Sequence, residues 1–383
     1  MKNLLNFFNP QYQDKQIKKR MHGLDTLRAL AILLVFMFHY PRDSHEHSIF
    51  GAFGNFGWVG VDLFFVLSGY LIGNQIFASL IKNNTFSLKS FWYRRLLRTL
   101  PNYWLVLVLY FLIPGFREWH QPMSASFWEF LTFTQNLGLH RGAYSHAWSL
   151  CVEEQFYLVL PLLALWVFYK GSVRSAWISI ALILILETAL RAWLWIHDVQ
   201  SMPIATRYLS YMPDLYYPTD TRLYGLIFGV SIAMIKNFHP SLWEKITHKG
   251  PLFFLLGLMG SLASFYIYRD FFTMFDFSTT VFIYPLLNLS FAFLVLAALS
   301  PRTYLSQLKI PGATLIATWS YAMYLIQKQM IFLSTEALGH FDISQTSLAT
   351  VLVSLFFTLL ASWLMYTLIE TPFLKLRDKR FLV

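Results

Sequence analysis

Cysteine and charged residues are both scarce in this sequence. A single cysteine, Cys151, occurs in 383 residues, which excludes an internal disulfide. Charged residues make up 13% of the chain, whereas a soluble globular domain has about 25%. The N-terminal stretch MKNLLNFFNPQ is interrupted by Pro10 and has no small-residue cleavage site, so it does not resemble a secretory signal peptide. These absences argue against an ordinary soluble protein.

Apolar residues are abundant instead. Hydrophobic residues account for 56% of the chain and aromatic residues for 19%, and the mean hydropathy is +0.47. A helix needs about 20 apolar residues to cross a bilayer, and ten segments approach that length. The sequence therefore predicts an all-α polytopic membrane protein with about ten transmembrane helices, at 24–41, 57–80, 99–114, 147–169, 175–197, 221–236, 251–268, 280–300, 313–337 and 346–370.

The loops between these segments differ strongly in basic residues. Twenty-one Lys and Arg residues lie in the alternate loops and termini that include the N-terminus, and five lie in the intervening loops. Cytoplasmic loops are enriched in Lys and Arg, so both termini are predicted to be cytoplasmic. Topology then explains most of the net charge of +10, and nucleic acid is not expected as a partner.

This topology divides the chain into three parts. The predicted domains are a cytoplasmic N-terminal segment at 1–23, a transmembrane domain at 24–370 and a basic cytoplasmic tail at 371–383. The stretch 127–139 is apolar but too short and too polar to span, so it is predicted to be an interfacial or re-entrant segment of a long outer loop.

Four basic residues lie inside predicted spans: Arg28, Arg191, Arg222 and Lys328. A cation at the bilayer centre costs about 2.5–3.5 kcal/mol on insertion scales, so each one needs a partner, a water-filled cavity or a functional role. Glu187 lies four residues before Arg191, and an ion pair within one helix would account for it structurally. Lys328 follows Gln327 and has no nearby acid in its span, so snorkelling and a functional role are both open for it.

Arg28 and His39 lie eleven residues apart in the first predicted span. Eleven residues are close to three helical turns, so the two side chains share a helix face and are separated by ~16 Å along the axis. An intramembrane histidine often serves only as a hydrogen bond between helices. Its pairing with Arg28 on one face, across much of the membrane, favours a functional role.

Other spans place polar groups at similar depths. Near the predicted outer level are four sites, and near the inner level an arginine cluster precedes the third span. Together they predict a polar path from a basic cytoplasmic mouth to an outer cluster of acids and histidine. The outer groups are Asp62, Glu153 with Glu154, Asp220 and Arg222, and the inner ones are Arg94, Arg95 and Arg98.

Several motifs occur in order along residues 22 to 380. In addition to the spacing of Arg28 and His39, they are GWVGVDLFFVLSGYLI, WYRRLLRTLP, AWSLCVEEQFYL, TRLYGLIFG, WSYAMYLIQ and IETPFLKLRDKR. With these motifs the chain resembles the bacterial acyltransferase-3 family of integral membrane O-acyltransferases. The resemblance implies transfer of an acyl group, usually acetyl, from cytoplasmic acyl-CoA to a hydroxyl of a cell-surface glycan or glycolipid. It also implies a multi-pass protein of the bacterial inner membrane.

The resemblance has consequences for domains and ligands. Larger members add an extracytoplasmic esterase-like domain, which this chain is expected to lack. Acetyl-CoA is expected as the acyl donor, with no permanently bound cofactor and no metal ion. The lipid bilayer and a glycan acceptor are the other expected partners, and no oligomeric state is predicted.

Roles follow for the residues of the polar path. His39 is expected to act as the general base on the acceptor hydroxyl, and Glu153 to orient its ring. Arg28 is expected to hold the pantetheine arm or the CoA end, or to maintain the cavity through an ion pair with Asp25. The guanidinium groups that bind the phosphates of CoA are expected to be Arg94, Arg95 and Arg98. The supporting residues near the acceptor are expected to be Asp62, Asp220, Arg222 and Tyr224.

Two positions depart from the family pattern. Members often have an acid where this chain has Tyr224, while Asp220 lies four residues earlier and would share a helix face with it. Members also often have a histidine where this chain has Gln327. The alternative function is a transporter or flippase with substrate-binding or proton-binding charges at the midplane, although no inverted repeat is visible. A structural scaffold would leave the intramembrane charges unexplained.

Overall fold

A computed structural model describes residues 21–41, 49–83, 86–139, 142–268 and 271–381. These residues contain no β-strand, and each of the ten predicted spans coincides with a long helix. The ten long helices and the C-terminal helix are α1 (His22–His39), α2 (Val59–Asn83), α3 (Leu88–Leu112), α4 (Trp148–Lys170), α5 (Val173–Leu194), α6 (Tyr224–Phe238), α7 (Gly250–Tyr268), α8 (Tyr284–Leu299), α9 (Ala313–Gly339), α10 (Leu348–Met365) and α11 (Thr371–Phe381).

Short helical elements occupy the connections. Among the described residues, short α-helices lie at Gly51–Phe56, Phe127–Leu131, Tyr208–Tyr211, Pro240–His248 and Tyr304–Gln307. Turns of π-helix lie at Trp195–Val199, Met212–Tyr216, Thr279–Ile283 and Tyr366–Glu370. Single 3₁₀ turns lie at Pro114–Phe116, Glu118–His120, Ser145–Ala147, Ile204–Thr206, Thr219–Thr221 and Phe271–Phe275.

Seven helical segments in the described part of the chain are long and apolar enough to cross a membrane. They are His22–His39, Val59–Lys82, Ser145–Tyr169, Val173–Val199, Gly250–Tyr268, Thr279–Leu299 and Leu348–Arg380, and Tyr224–Phe238 is a shorter apolar helix. Two further helices, α3 and α9, are as long but carry arginine, lysine and glutamine side chains. The chain is thus an all-α, multi-pass membrane protein. The number of ten spans and the orientation of the termini stay predictions.

Large apolar side chains are exposed on the outside of the bundle. On α5, Leu182, Ile185 and Leu186 are each more than half exposed, as are Met259 and Leu262 on α7. A soluble protein rarely presents contiguous apolar surface of this kind. A hydrocarbon environment would accept it, because these side chains then face lipid rather than water.

The interior of the bundle is organised around α1 and α2. Helix α1 packs between α2 and α9, and α2 also packs along α6. The contact between α2 and α6 depends on two glycines: a Cβ atom at Gly69 would lie 2.1 Å from the carbonyl oxygen of Leu226, and one at Gly229 would lie 2.2 Å from that of Val66. Small residues permit such close approach between membrane helices. This contact places α6 directly behind the α2 wall of the site.

Helix α3 begins well before the predicted span at 99–114. Ser87 caps it by accepting a hydrogen bond from the backbone N–H of Ser90, and the helix runs from Leu88 to Leu112. Arg94, Arg95 and Arg98 therefore lie on the helix itself rather than in a loop before it. Hydropathy excluded them from the span because they are charged, although the backbone conformation does not change there.

The predicted terminal segments, 1–23 and 371–383, and the predicted interfacial segment 127–139 lie outside the predicted spans. Residues 1–20 and 382–383 of the predicted terminal segments are outside the described residues. The remainder of the predicted tail forms α11. The stretch 127–139 forms a short helix followed by turns, and it packs against α4 because the Gln155 amide donates hydrogen bonds to the carbonyl oxygen of Phe133 and to the side chain of Asn136.

Candidate active site

Two adjoining cavities lie inside the bundle. The first, called the central cavity, has a volume of about 340 Å³ and contacts α1, α2, α3, α4 and α9. The second, called the end cavity, also has a volume of about 340 Å³ and reaches Glu370 and Arg377 near α11. Both are lined by Arg28, Leu71 and Arg98. A continuous path therefore leads from the α11 end of the bundle to its centre.

Three arginines lie along this path. Arg28 and Arg98 contribute to both cavities, and Arg95 lines the central cavity with its guanidinium carbon 4.2 Å from the ring centroid of Tyr157. Arg94 is not among the lining residues of either cavity. Successive residues of a helix point about 100° apart, which places Arg94 and Arg95 on different sides of α3.

Glu153 and Glu154 form the opposite wall of the central cavity. The Glu153 carboxylate accepts hydrogen bonds from Ser68 Oγ at 2.8 Å and from Tyr157 OH at 2.9 Å. The prediction that Glu153 orients His39 is therefore wrong. Glu153 lies seven residues beyond His146 on a continuous helical path, so it is ~10 Å deeper along the axis and faces the arginines instead.

The central cavity ends at Ser149 and Tyr324. The Tyr324 hydroxyl donates a hydrogen bond to the backbone oxygen of His146 at 2.6 Å, and Ser149 Oγ lies 2.5 Å from the same hydroxyl. This layer of two hydroxyl groups separates the cavity from the residues around His39.

His39 and His146 meet beyond this layer. Their ring centroids are 5.8 Å apart with the rings close to perpendicular. His146 is buried, with Nε2 lying 3.3 Å from the carbonyl oxygen of Leu325. The Nδ1 atoms of both rings are buried and have no hydrogen-bond partner in the described structure. Two imidazoles with free ring nitrogens therefore lie together at the far end of the path.

An ion pair of Glu118 and Lys328 lies beside the two histidines. Lys328 Nζ is 2.9 Å from Glu118 Oε1, and Glu118 is fully buried. Glu118 also accepts hydrogen bonds from Tyr110 OH at 2.7 Å and from the backbone N–H of Tyr144 at 3.1 Å. Both members of the pair interact electrostatically with His39.

The Glu118 carboxylate lies in a loop rather than in a spanning helix, and its pKa lies below the usual range. Burial by itself would raise this pKa, but the Lys328 ammonium group and the hydrogen bond from Tyr110 more than offset that effect. Glu118 is therefore charged at neutral pH.

Sequence reasoning missed Glu118 and His146. No acid lies near Lys328 within its own span, and its partner Glu118 is 210 residues away in the connection after α3. The available signal was the requirement that an intramembrane lysine have an acidic partner, which points to the few acids of the loops. His146 immediately precedes the quoted AWSLCVEEQFYL motif and carried no signal of its own.

Asp62 and Arg222 form a second buried ion pair, away from both cavities. Arg222 Nη2 lies 3.3 Å from the Asp62 carboxylate, to which Tyr284 OH also donates a hydrogen bond. The guanidinium carbon lies 4.4 Å and 4.8 Å from the ring centroids of Tyr216 and Trp148. This aromatic enclosure satisfies the two charges inside the protein, behind the wall that faces the central cavity.

Asp220 and Tyr224 do not share a helix face, so that prediction is wrong. Asp220 is exposed in the turn Thr219–Thr221, and α6 begins only at Tyr224. The four-residue rule applies only within a continuous helix, and the backbone leaves helical geometry at Arg222. Tyr224 is buried, with its hydroxyl 2.6 Å from that of Thr188.

Glu187 and Arg191 attract each other electrostatically, as predicted, but the hydrogen bonds of each side chain go to backbone groups. The Arg191 guanidinium donates to the backbone oxygens of Thr221 at 2.7 Å, Thr280 at 2.9 Å and Leu215 at 3.2 Å. Glu187 accepts from the backbone N–H of Leu223. Irregular backbone between α5 and α8 supplies carbonyl groups that need donors, and Arg191 satisfies three of them.

The family model Acyl_transf_3, described as "Acyltransferase domain", matches residues 21–367. The peptidoglycan O-acetyltransferase OatA of Listeria monocytogenes is 28% identical over 378 residues, covering 94% of this chain and 56% of the relative. The O-acetyltransferase OatA of Staphylococcus aureus is 26% identical over 399 residues, covering 99% of this chain and 60% of the relative.

This chain thus spans less than two thirds of the length of these curated relatives. The family match, in contrast, covers most of the chain, and it includes α1 to α10 with the central cavity and the two histidines. The chain belongs to the acyltransferase-3 family.

Proposed function

We propose that this protein is an integral membrane O-acyltransferase of the bacterial cytoplasmic membrane. It moves an acyl group, acetyl in the first instance, from cytoplasmic acyl-CoA to a hydroxyl of a cell-surface glycan or glycolipid. Its relatives from Listeria monocytogenes and Staphylococcus aureus are named as O-acetyltransferases, which supports this reaction class.

The observation that carries the proposal is the arginine-lined path that ends below two histidines. CoA has an anionic phosphate-bearing headgroup and a thin arm that ends in the thioester. Arg28, Arg95 and Arg98 offer guanidinium donors suited to phosphate and to the polar groups of the arm. The path length matches this division, because Arg28 and His39 are separated by ~16 Å along α1.

His39 is proposed as the general base at the end of the path. It takes the proton of the acceptor hydroxyl as the oxygen attacks the thioester carbonyl. Arg28 is proposed to hold the pantetheine arm half-way along the path. Glu153 and Glu154 balance the positive charge of the arginines across the cavity, a role that replaces the predicted contact with His39.

The decisive experiment asks whether donor and acceptor can be on opposite sides of the membrane. In sealed inside-out vesicles, radiolabelled acetyl-CoA added outside is expected to acetylate a glycan enclosed in the lumen, because only the acyl group has to pass the hydroxyl layer. Label incorporation is measured after removal of external donor. Vesicles without the protein are the control, and acetylation that requires the glycan and acetyl-CoA on the same side would contradict the proposal.

Single replacements of Arg95 and Arg98 with Gln are expected to raise the apparent KM for acetyl-CoA by about ten- to a hundredfold, since each removes a charge-assisted hydrogen bond worth about 1.5–3 kcal/mol. Arg94→Gln is expected to have a smaller effect because Arg94 does not line the path. Initial rates over a range of acetyl-CoA concentrations measure this. Exposed Lys89 on the same helix provides the control, Lys89→Gln. Equal KM values in all variants would show that these arginines reflect topology alone.

A further inference from the structure

His146 occupies the boundary between the central cavity and His39. Its backbone oxygen accepts the hydrogen bond of Tyr324, whose side chain lines the cavity, and its ring contacts His39 on the other side. A thioester that enters through the cavity leads with its acyl group, so when the carbonyl carbon lies at His39 the trailing sulfur lies on the cavity side, next to His146. The two imidazoles therefore meet different ends of the reacting bond.

The hydrogen bond to Leu325 determines which His146 nitrogen is free. A backbone carbonyl oxygen can only accept a hydrogen bond, so Nε2 carries the proton in the contact of 3.3 Å. In the neutral ring Nδ1 is then the unprotonated nitrogen, and this atom is buried without a partner. Leu325 thus holds His146 in the tautomer that can accept a proton at Nδ1.

The reaction produces a charge that this site must neutralise. When the acceptor oxygen attacks and the carbon–sulfur bond breaks, the electron pair remains on the sulfur as a thiolate. An unpaired anion is costly in a buried, low-dielectric environment. The proton that leaves the acceptor hydroxyl is the natural counterpart, but it is taken up at His39, on the acceptor side.

We propose that His146 is a second catalytic group, which carries this proton from His39 to the leaving sulfur. His39 accepts the hydroxyl proton, His146 Nδ1 receives a proton from the His39 imidazolium, and the same Nδ1–H then protonates the thiolate. The acceptor gains the acyl group, free CoA leaves as a thiol, and both rings return to neutrality. The inference rests on the proposed acyl transfer and extends it to the leaving group.

Other ionisable groups surround the pair. Tyr144 contacts the His146 ring with a centroid distance of 5.2 Å, and Tyr324 lies at 5.8 Å. Lys328 acts electrostatically on His146 and, with Glu118, on His39. The Glu118 carboxylate is held by its own partners rather than by either imidazole, so it is not the proton carrier.

The test compares two acetyl donors that differ in their leaving group. The leaving group of acetyl-CoA is the basic CoA thiolate. The leaving group of S-(4-nitrophenyl) thioacetate is 4-nitrothiophenolate, which is weakly basic and needs no proton. His146→Gln keeps a side-chain N–H for Leu325 and removes the titratable nitrogen. The variant His39→Gln tests the base, and His197→Gln is the control, because His197 is exposed and bonds only to its own helix. Full-length proteins in detergent are checked for unchanged thermal unfolding.

His146→Gln is expected to lower kcat with acetyl-CoA about a hundredfold, with unchanged KM, and to lower kcat with the aryl donor less than about threefold. His39→Gln should lower both rates, and His197→Gln neither. Equal losses with both donors, or no loss with acetyl-CoA, would overturn the inference. If the wild type does not accept the aryl donor, a second test uses the variant His146→Gly with imidazole added to the solution. The added imidazole should restore transfer from acetyl-CoA, and absence of this rescue would overturn the inference. A wild type that fails to use acetyl-CoA would instead refute the proposed function.

Discussion

Transfer from acetyl-CoA is expected to fall about 10²–10⁴-fold in the variant His39→Gln, the range typical of a lost general base. His39 lies just beyond the inner end of the arginine-lined path, and its Nδ1 is buried without a partner among the described residues. Glutamine preserves much of the volume but cannot accept a proton near neutral pH. The effect should appear in kcat rather than in KM for acetyl-CoA, because the donor is bound by groups ~16 Å away along α1.

The measurement is the initial rate of acetylation of a glycan by purified protein. His197→Gln is the matched control, since it removes an exposed histidine outside both cavities. Thermal unfolding in detergent has to be the same for both variants and the wild type. A folded His39→Gln protein that keeps more than about a tenth of wild-type turnover would exclude general-base catalysis by His39.

The variant Lys328→Met is expected to destabilise the folded protein by about 3–5 kcal/mol, because removing one partner of a buried ion pair leaves an uncompensated charge. Glu118 is fully buried, and Lys328 supplies its only ion-pair contact among the described residues. Methionine has a similar length and apolar stem, so packing changes little. Denaturant unfolding in mixed micelles, followed by tryptophan fluorescence, measures the loss.

The double variant Glu118→Gln with Lys328→Met should recover most of this stability, since no buried charge remains. Asp276→Asn serves as the control: the Asp276 side chain is half exposed in its ion pair with Arg207, and ion pairs at the surface contribute about 0–1 kcal/mol. A Lys328→Met protein as stable as Asp276→Asn would show that water reaches Glu118. A double variant no more stable than Lys328→Met would also show that water reaches Glu118.

The effect of pH on this ion pair has a definite sign. The pKa of Glu118 is depressed in the folded state, so its stabilising contribution is complete above the unfolded pKa of about 4.3 and is lost as pH falls through the folded value. The difference in stability between the wild type and Lys328→Met should therefore shrink in acid. A difference that grows as pH falls would contradict the assignment of a charged Glu118.

Several features of the fold could be predicted because they depend on local periodicity. The ten apolar segments coincide with ten long helices, since hydropathy over about 20 residues reports directly on the medium around a helix. Arg28 and His39 both approach the α4 segment, one through the central cavity and one through His146. The distance and relative direction of these two side chains are set by three turns of a single helix, so they can be predicted without knowing how the other helices pack.

Predictions that crossed from one helix to another were less successful. Glu153 was placed at the level of His39, but it lies ~10 Å deeper, because a few residues of helix change depth by several ångströms. Asp220 was predicted to share a helix face with Tyr224, but α6 begins only at Tyr224, so Asp220 lies outside the helix. Arg191 found backbone carbonyl partners in irregular connections, which hydropathy cannot reveal.

The sequence by itself determined the membrane character, the helical segments, the family motifs and the spacing of Arg28 and His39, because helix geometry converts residue number into distance and direction. Only the tertiary structure decided which groups meet. Glu118 pairs with Lys328 across 210 positions, and His146 meets His39 from the start of another helix. Such contacts depend on the depth and rotation at which helices pack, and a shift of one helical turn, about 5.4 Å, replaces every partner in the site.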